Sequence, residues 1–480
     1  MNLAMLLEMA ADAFGDRVAI GSLDDGLSYE QLRRAARAIA DRVEDSKATH
    51  LAVIEPNGPV VPASLFGAAW AGVSYAPLNY RLPDAALQEL IARIAPSITA
   101  GTHWVDPAST SQRAFPDNPE HPAVLLFTSG TSAAPKAAVL EHDQLLAYVF
   151  NTVEFGSAGD DEASLMSSPP FHIAGVTALL SSTYSGRRIV PLPGVRFSPE
   201  EWVEIARREA ITHAFVVPTM LARIVHVMEA DPEARIPSLR NLVYGGARMP
   251  APVLERALAL FPETDFVNAY GLTETSSTVC LLGPDDHRLA MYSDDPVWTA
   301  RLSSVGLPVP GIEVRIVDDA GADAGADVPG EIQIRGAQVS GAYADTESKT
   351  DAEGWLHTGD RGWLDADGYL FCEGRADDTI IRGGENIGPA EIEDALLTHD
   401  AVSSACVVGL PDEEWGERIV AAITLRPGVD EVDIEHVRDW VRTRIGSLKT
   451  PEVVEVRDEL PQTATGKILR RQVRAELSEA

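Results

Sequence analysis

The sequence predicts an α/β protein built on helix-covered, mostly parallel sheets, and three observations carry that prediction. Short apolar runs alternate with helical patterns from about residue 51 to residue 271, the texture of strands joined by crossover helices. Turns rich in glycine and hydroxyl residues follow several of those runs, on the side of the sheet where right-handed crossovers collect the loops. The chain is also 480 residues long, 45% hydrophobic and 23% charged, more than one core holds, so at least two domains are expected.

The elements follow in order. MNLAMLLEMAADAFGD at the start has apolar residues at helical spacing, acidic residues among them and no basic leader, an amphipathic helix and not a signal peptide. LAVIE (51–55), VVPASLFGAAWAG and VSYAPL (73–78) read as strand, helix and strand. The series resumes with SLMSSP (164–169), RRIVPL (187–192), HAFVVP (213–218), NLVYGG (241–246) and DFVNAYG (265–271), separated by helical patterns. From about 303 the chain changes to β-type segments with Gly/Asp turns, and DDAGADAGAD (318–327) reads as a hairpin tip. After Gly374-Arg375 a final hundred or so residues form a compact α+β pattern ending in the basic helix ILRRQVRAEL. No internal repeat is visible.

Charge and cysteines narrow the function classes. A net charge of −33 repels a phosphate backbone and argues against nucleic-acid or anionic-membrane partners. An anionic substrate must therefore find local lysines and arginines. Cys280, Cys372 and Cys406 lie far apart with no C-x-x-C pair, so neither a zinc site nor a disulfide framework is expected and a reducing cytoplasm is the default. No run approaches the roughly 18 apolar residues of a membrane span.

Five motifs carry the chemistry. FTSGTSAAPKAAVLEH (127–142) places Thr128, Ser129, Gly130, Thr131 and Ser132 before Pro135-Lys136, between two apolar runs. Hydroxyls and backbone N–H groups of such a loop can wrap a phosphate, with lysine as a point charge. Pro135 and the following β-type run give strand–loop–strand, unlike the loop-to-helix nucleotide motif. In NAYGLTE (268–274), Tyr270 can stack on a purine, Thr273 can bond a phosphate, and Glu274 is a hard oxygen ligand for Mg²⁺ or else a helix cap. GWLHTGDRG (354–362) presents Asp360 in a glycine-bracketed turn able to accept from two ribose hydroxyls. EGRADDTIIRGGENIGPAEIE (373–393) offers Arg375 for a ribose or phosphate, Asp377 in a short connector, and Gly383-Gly384 for close approach to a ligand. LPQTATGKILR (460–470) presents Lys467 just before a helix.

In this order, and spread over some 340 residues, these motifs resemble the adenylate-forming (ANL) superfamily, and most closely its acyl-CoA synthetase branch of fatty-acid or aryl-acid CoA ligases. VVGLPDEEWGERIVAAI (407–423), GGENIGPAEIE and PPFHIAG (169–175) are similar to that branch. The resemblance implies a large N-terminal adenylation domain (1–375) that includes a distorted β-barrel subdomain. It also implies a small mobile α+β lid (376–480), hinged near Asp377. The implied reaction joins a carboxylate to the α-phosphate of MgATP with loss of pyrophosphate, after which CoA displaces AMP. ATP, Mg²⁺ and CoA are the expected cofactors, a small carboxylic acid is the partner, and a homodimer is left open.

By resemblance the catalytic set is Lys467, Thr131, Glu274 and His172, with Glu274 the metal ligand. Nucleotide contacts are expected from Thr128, Ser129, Gly130, Thr131, Ser132, Lys136, Gly245, Gly246, Ala247, Asn268, Ala269, Tyr270, Gly271, Thr273, Asp360, Arg375 and Lys467. The acid pocket is expected from His172, Gly175, Val217, Pro218, Gly245 and Gly271. CoA is expected along Gly383, Gly384, Glu385 and Asn386. His172 is read as a gating or packing residue before a general base. The apolar walls of HIAGVTALLSSTYSG and VPTMLARI point to an aliphatic, alicyclic or aryl acid and not to malonate or an amino acid. Ala133 and Ala137 stand where the family carries glycine, and because an alanine Cβ resists positive φ this predicts a loop that closes differently or binds ATP more weakly. Two other readings keep the ATP motifs: an adenylating enzyme whose acceptor is a carrier protein, an amine or nitrite, as in ATP-dependent diazotases, and a non-catalytic nucleotide or acyl-adenylate sensor.

Overall fold

The computed structural model describes residues 1–128, 135–231, 234–318, 320–345, 347–383, 385–412, 415–463 and 466–479. Its frame is two sheets with helices against them, and local sequence explains how each helix starts and stops. Ser28 caps the helix Tyr29–Ser46, accepting from the Gln31 N–H while Gln31 returns a bond to the Ser28 N–H, which satisfies two otherwise orphaned donors. The helix Pro199–Arg208 opens on the Ser198 cap and Pro199, carries Glu200 and Glu201 in its first turn and ends on Arg207 and Arg208, charges that complement the helix dipole. The helix Val60–Ala71 has no polar stripe and is buried almost along its whole length, as expected of an all-apolar helix.

A nine-stranded sheet runs in the order Leu307–Pro308, Ser277–Leu282, Asp265–Leu272, Asn241–Gly245, His213–Val216, Ala163–Met166, Arg188–Pro191, Val18–Ile20, Leu27–Ser28. Its centre is parallel and its edges are antiparallel. A five-stranded sheet runs Ser97–Ala100, His50–Val53, Ser74–Pro77, Val124–Thr128, Lys136–Leu140, parallel except for its last hairpin. The predicted strands at 51, 73, 164, 187, 213, 241 and 265 all form. Trp70, Tyr75, Trp202 and Tyr244 are fully buried between these layers. The buried Trp202 indole donates to Ser167 Oγ at 2.9 Å, so the aromatic anchor keeps its polar edge satisfied and pins the segment leading to His172.

Four antiparallel strands follow: Ile312–Val317, Gly330–Gly336, Leu356–Leu364 and Leu370–Arg375. The 318–327 segment joins the first two and folds back on them through Ala324 N–H to Ile316 O at 2.8 Å, so the hairpin reading holds. The C-terminal sheet then begins at Ile380–Arg382, and Val402–Asp412 and Gly416–Leu425 form its long antiparallel pair. This is the large parallel-sheet domain and small α+β C-terminal domain that the sequence leads one to expect. Among the described residues no helix is long and apolar enough to cross a membrane.

Candidate active site

The hydroxyl loop closes a hairpin. Thr128 ends one strand, Lys136 begins the next, and the two are register partners, which bears out strand–loop–strand. Ser129, Gly130, Thr131, Ser132 and Ala133 lie outside the described residues. The Pro135 carbonyl accepts from Arg93 at 2.8 Å. Ala137 corrects one expectation: it is a buried strand residue opposite Phe127, in a conformation that any side chain accepts, so no strain arises there.

A second backbone segment locks onto that hairpin. Ala344 N–H donates to Ala137 O at 2.9 Å, Val139 N–H donates to Ala342 O at 3.0 Å, and Tyr343 bridges to Ala138. Ser340 and Gly341 N–H groups meanwhile donate to the Glu274 carbonyl at 2.8 and 3.2 Å. Glu274 sits in the 3₁₀ turn Thr273–Thr275 and is buried; it does not cap a longer helix. Its carboxylate accepts from the Tyr343 hydroxyl and, at 2.9 Å, from Lys349 Nζ. Burial alone would raise this carboxyl, but the hydroxyl and the ammonium outweigh it and hold the pKa below its ordinary value. The Lys136 ammonium lies 5.7 Å from the Tyr343 ring centre. Glu274 is thus an ionised, buried carboxylate whose backbone segment borders the Thr128–Lys136 hairpin. One such oxygen donor, with phosphate oxygens and water for the rest, is what Mg²⁺ takes; among the described residues no cluster of three or more ligands offers an all-protein cage.

Asp360 departs from the predicted turn: it lies within the strand Leu356–Leu364, buried, directly opposite Arg375. Arg375 Nε approaches its Oδ1 at 3.1 Å and the Tyr270 hydroxyl donates to Oδ2 at 2.7 Å. Arg375 also donates to the Thr358 carbonyl at 2.6 Å. Burial pushes the Asp360 carboxyl up, while Arg375, Tyr270 and Lys467 pull it down. Tyr270 here spends its hydroxyl on Asp360, which fixes the ring beside Cys280 and Cys372.

The neighbouring glycines and small residues serve close packing. Gly271 stands opposite the Ser277–Thr278 backbone at a register shift, where a Cβ has no room. Gly246 has φ +80°, and a Cβ there would face Val217. Gly245 is buried against the Ala269 carbonyl. Asn268 donates to Ser304 O at 3.0 Å. Ala247 lies in the turn after Gly246, and no side-chain bond of Thr273 appears among the described contacts. Val217 precedes the helix Pro218–Ala230, and Gly175 packs on the Pro169 carbonyl. His172 precedes the helix Ile173–Ser185, its ring 5.0 Å from Phe171. Burial, then Arg81, lowers its pKa to about 4, so it is neutral at ordinary pH, a state that suits packing, gating and proton acceptance alike.

The C-terminal domain reaches this site through one loop. Gly466 packs on the Thr219 side chain at the start of the helix Pro218–Ala230. Lys467 is exposed as a whole, yet its ammonium stands within electrostatic reach of Asp360 and Arg375. Desolvation and then Arg375 lower its pKa, and Asp360 opposes them. Arg248 adds a second contact between the domains, donating to Asp394 at 2.7 Å and to the Ala390 carbonyl at 3.3 Å. Asp377 is exposed in the 3₁₀ turn Ala376–Asp378 and pairs with Arg471 at 3.1 Å. Asp378 faces Arg470 at 3.5 Å. At the expected CoA loop, Gly383 has φ +58° and faces the Trp415 ring. Glu385 and the Asn386 backbone form the short strand Glu385–Ile387, and Gly384 lies outside the described residues. Tyr343, Lys349 and Arg471 were not singled out by sequence. The sole hint was their setting, an aromatic two residues after Gly341 for Tyr343 and the basic last helix for Arg471.

Comparison with known proteins identifies the family. The family model described as "AMP-binding enzyme" matches residues 7–114 and 100–344, and that described as "AMP-binding enzyme C-terminal domain" matches residues 391–467. A feruloyl-CoA synthase of an Amycolatopsis species is 31% identical over 93% of each chain. A fatty acid–[acyl-carrier-protein] ligase of Streptomyces coeruleorubidus is 30% identical over 93% of this chain and 91% of its own length. The structure of Bacillus subtilis o-succinylbenzoate coenzyme A synthetase with ATP and magnesium ion superposes with a TM-score of 0.82 at 26% identity, covering 97% of this chain and 98% of that one. With two family models spanning most of its length and relatives aligned end to end, the chain belongs to the AMP-binding enzyme family, in the acyl-CoA synthetase branch of the adenylate-forming superfamily.

Proposed function

We propose that this protein activates an apolar carboxylic acid of aryl or arylalkyl type as its acyl adenylate and then transfers the acyl group to CoA. The observation that carries the reading is the convergence of Lys467, from the C-terminal domain, on the buried Asp360 and its partner Arg375 in the N-terminal domain. Adenylation brings a carboxylate up to an α-phosphate, two anions, and a lysine delivered between them stabilises the charge that develops. Asp360 is the acceptor for ribose hydroxyls, and Arg375 orients it while adding positive charge. Glu274, ionised and bonded to the Tyr343 hydroxyl whose ring Lys136 faces, would hold Mg²⁺, which when bound neutralises the departing pyrophosphate. The 128–136 hairpin is the proposed phosphate cradle, with Thr128, Lys136 and the hydroxyls between them.

We place the domain boundary after Arg375, with Asp377 as the hinge. Rotation there would withdraw Lys467 and present Gly383, Glu385 and Asn386 for CoA. The acid pocket lies around His172, Gly175, Val217 and Pro218, where a neutral imidazole and apolar walls suit an uncharged tail. The aryl class is supported by feruloyl-CoA synthase among the relatives.

A carrier-protein acceptor is a second reading, favoured by the Streptomyces acyl-carrier-protein ligase at comparable identity. Pyrophosphate release over a panel of aryl and fatty acids, with and without CoA, tests both. CoA-dependent turnover with aryl acids supports the proposal. Pyrophosphate release that stalls with CoA and resumes with a carrier protein supports the second reading.

A further inference from the structure

Lys349 has no part in the reading above, yet its ammonium lies 2.9 Å from Glu274 Oε1, the oxygen that also accepts from the Tyr343 hydroxyl. That ammonium is 5.5 Å from the Tyr343 ring centre, and the Lys136 ammonium is 5.7 Å from the same centre. Two cations therefore attend one ring, and the second of them stands at the foot of the phosphate hairpin. The backbone of Lys349 is fixed from both ends: its N–H donates to Gly341 O at 2.9 Å and its carbonyl accepts from His357 N–H at 3.1 Å. The side chain is 36% exposed against 10% for Glu274, so solvent and solutes reach the ammonium.

Charge balance at Glu274 alone is a sufficient reason for a lysine there. The placement goes further. An ammonium has three donors, and among the described contacts Glu274 engages one of them. In a chain of net charge −33, a partly open cation next to the phosphate hairpin is where a polyanion gains most.

We propose that Lys349 is a resident cation of the phosphate subsite, holding the Glu274 carboxylate in the nucleotide-free protein and donating to the β- and γ-phosphate oxygens of bound ATP. This rests on the ligase reading for the identity of the nucleotide. AMP, which lacks those phosphates, gains nothing from it. The same cation would make ATP binding less dependent on added metal.

Calorimetric titration of the full-length protein with ATP and with AMP, each in chelator and in Mg²⁺, tests the proposal. Lys349→Met keeps the stem and removes the charge. It should weaken metal-free ATP binding about tenfold or more, the scale of losing a charged hydrogen bond, and leave AMP binding unchanged. Lys349→Arg should retain most of the affinity, and Lys349→Gln repeats the test with a polar stem. The decisive arm is Lys349→Met in a Glu274→Gln background. If Lys349 donates to phosphate, the loss persists there; if Lys349 only masks Glu274, the loss disappears and the proposal is wrong. Unchanged ATP affinity, or an equal loss for AMP, also overturns it. A wild-type protein that binds neither nucleotide contradicts the ligase reading instead.

Discussion

Arg375 Nε lies 3.1 Å from Asp360 Oδ1, and the two residues face each other as a register pair on adjacent antiparallel strands. The sheet itself therefore sets their separation, and Tyr270 completes the cluster from the neighbouring sheet at 2.7 Å. Asp360→Asn keeps the shape and removes the charge that Arg375 faces. AMP affinity should fall by about ten- to a hundredfold, the scale of losing one or two charge-assisted bonds, with a lower melting temperature as well. Calorimetry with AMP checks it; unchanged affinity would remove Asp360 from the nucleotide site.

The lid gives a pair of opposite expectations. Lys467→Ala should slow acid-dependent pyrophosphate release by roughly a hundred- to a thousandfold, as for loss of a transition-state donor. Conversion of presynthesised acyl adenylate to acyl-CoA should stay near the wild-type rate. Asp377→Pro fixes φ at the hinge and should spare the first half-reaction while blocking the second. Equal losses in both halves for Lys467→Ala would contradict a lid that alternates.

Arg471 should tune the same equilibrium. Its ion pair with Asp377 joins the proposed hinge to the last helix at 3.1 Å, but both partners are exposed, so the pair is worth at most about 1 kcal/mol. Arg471→Ala should shift the ratio of half-reaction rates toward thioester formation by a few-fold at most. Rapid-quench measurement of both halves reads that ratio.

Ala137→Gly tests the corrected reading of the phosphate hairpin. Ala137 is a buried strand residue paired with Phe127, so glycine should cost about 0.5–1 kcal/mol of stability and give no gain in ATP affinity. Tighter ATP binding would restore the strained-loop expectation.

Buried His142 gives a pH dependence with a definite sign. Its Nδ1 accepts from the Leu3 N–H at 3.1 Å, and burial, then the N-terminal ammonium, lowers its pKa from 6.5 to about 4. The unfolded chain binds this proton first, so the contribution is complete above pH 6.5 and is lost as pH falls toward 4. Protonation at the low end costs about 3 kcal/mol. Urea midpoints should fall between about pH 7 and pH 5, and His142→Gln should flatten that slope.

Much of this was legible because it is local. Apolar runs such as NLVYGG and HAFVVP can bury only as central strands, and Pro135 ruled out a helix after the hydroxyl loop. Lys467 and Glu274 stood out because their flanking residues were distinctive. Long-range register was not legible. The Tyr343 segment pairs with Ala137 and Val139 across some 200 residues, and only that pairing carries Tyr343 to Glu274, with Lys349 close behind. Asp360 misled for a related reason: Gly359 and Gly362 read as a turn, yet cross-strand pairing with Arg375 draws the segment into a strand. Ala137 misled because a family glycine suggested positive φ where the strand continues.

The central claim is that a carboxylate is joined to the α-phosphate of ATP before any thioester forms. Turnover of an accepted acid carrying heavy oxygen in both carboxylate positions, followed by mass spectrometry of the nucleotide product, tests it directly. The account predicts AMP bearing one heavy oxygen, released with pyrophosphate in step with acyl-CoA. ADP as the product, or AMP without the label, would contradict it.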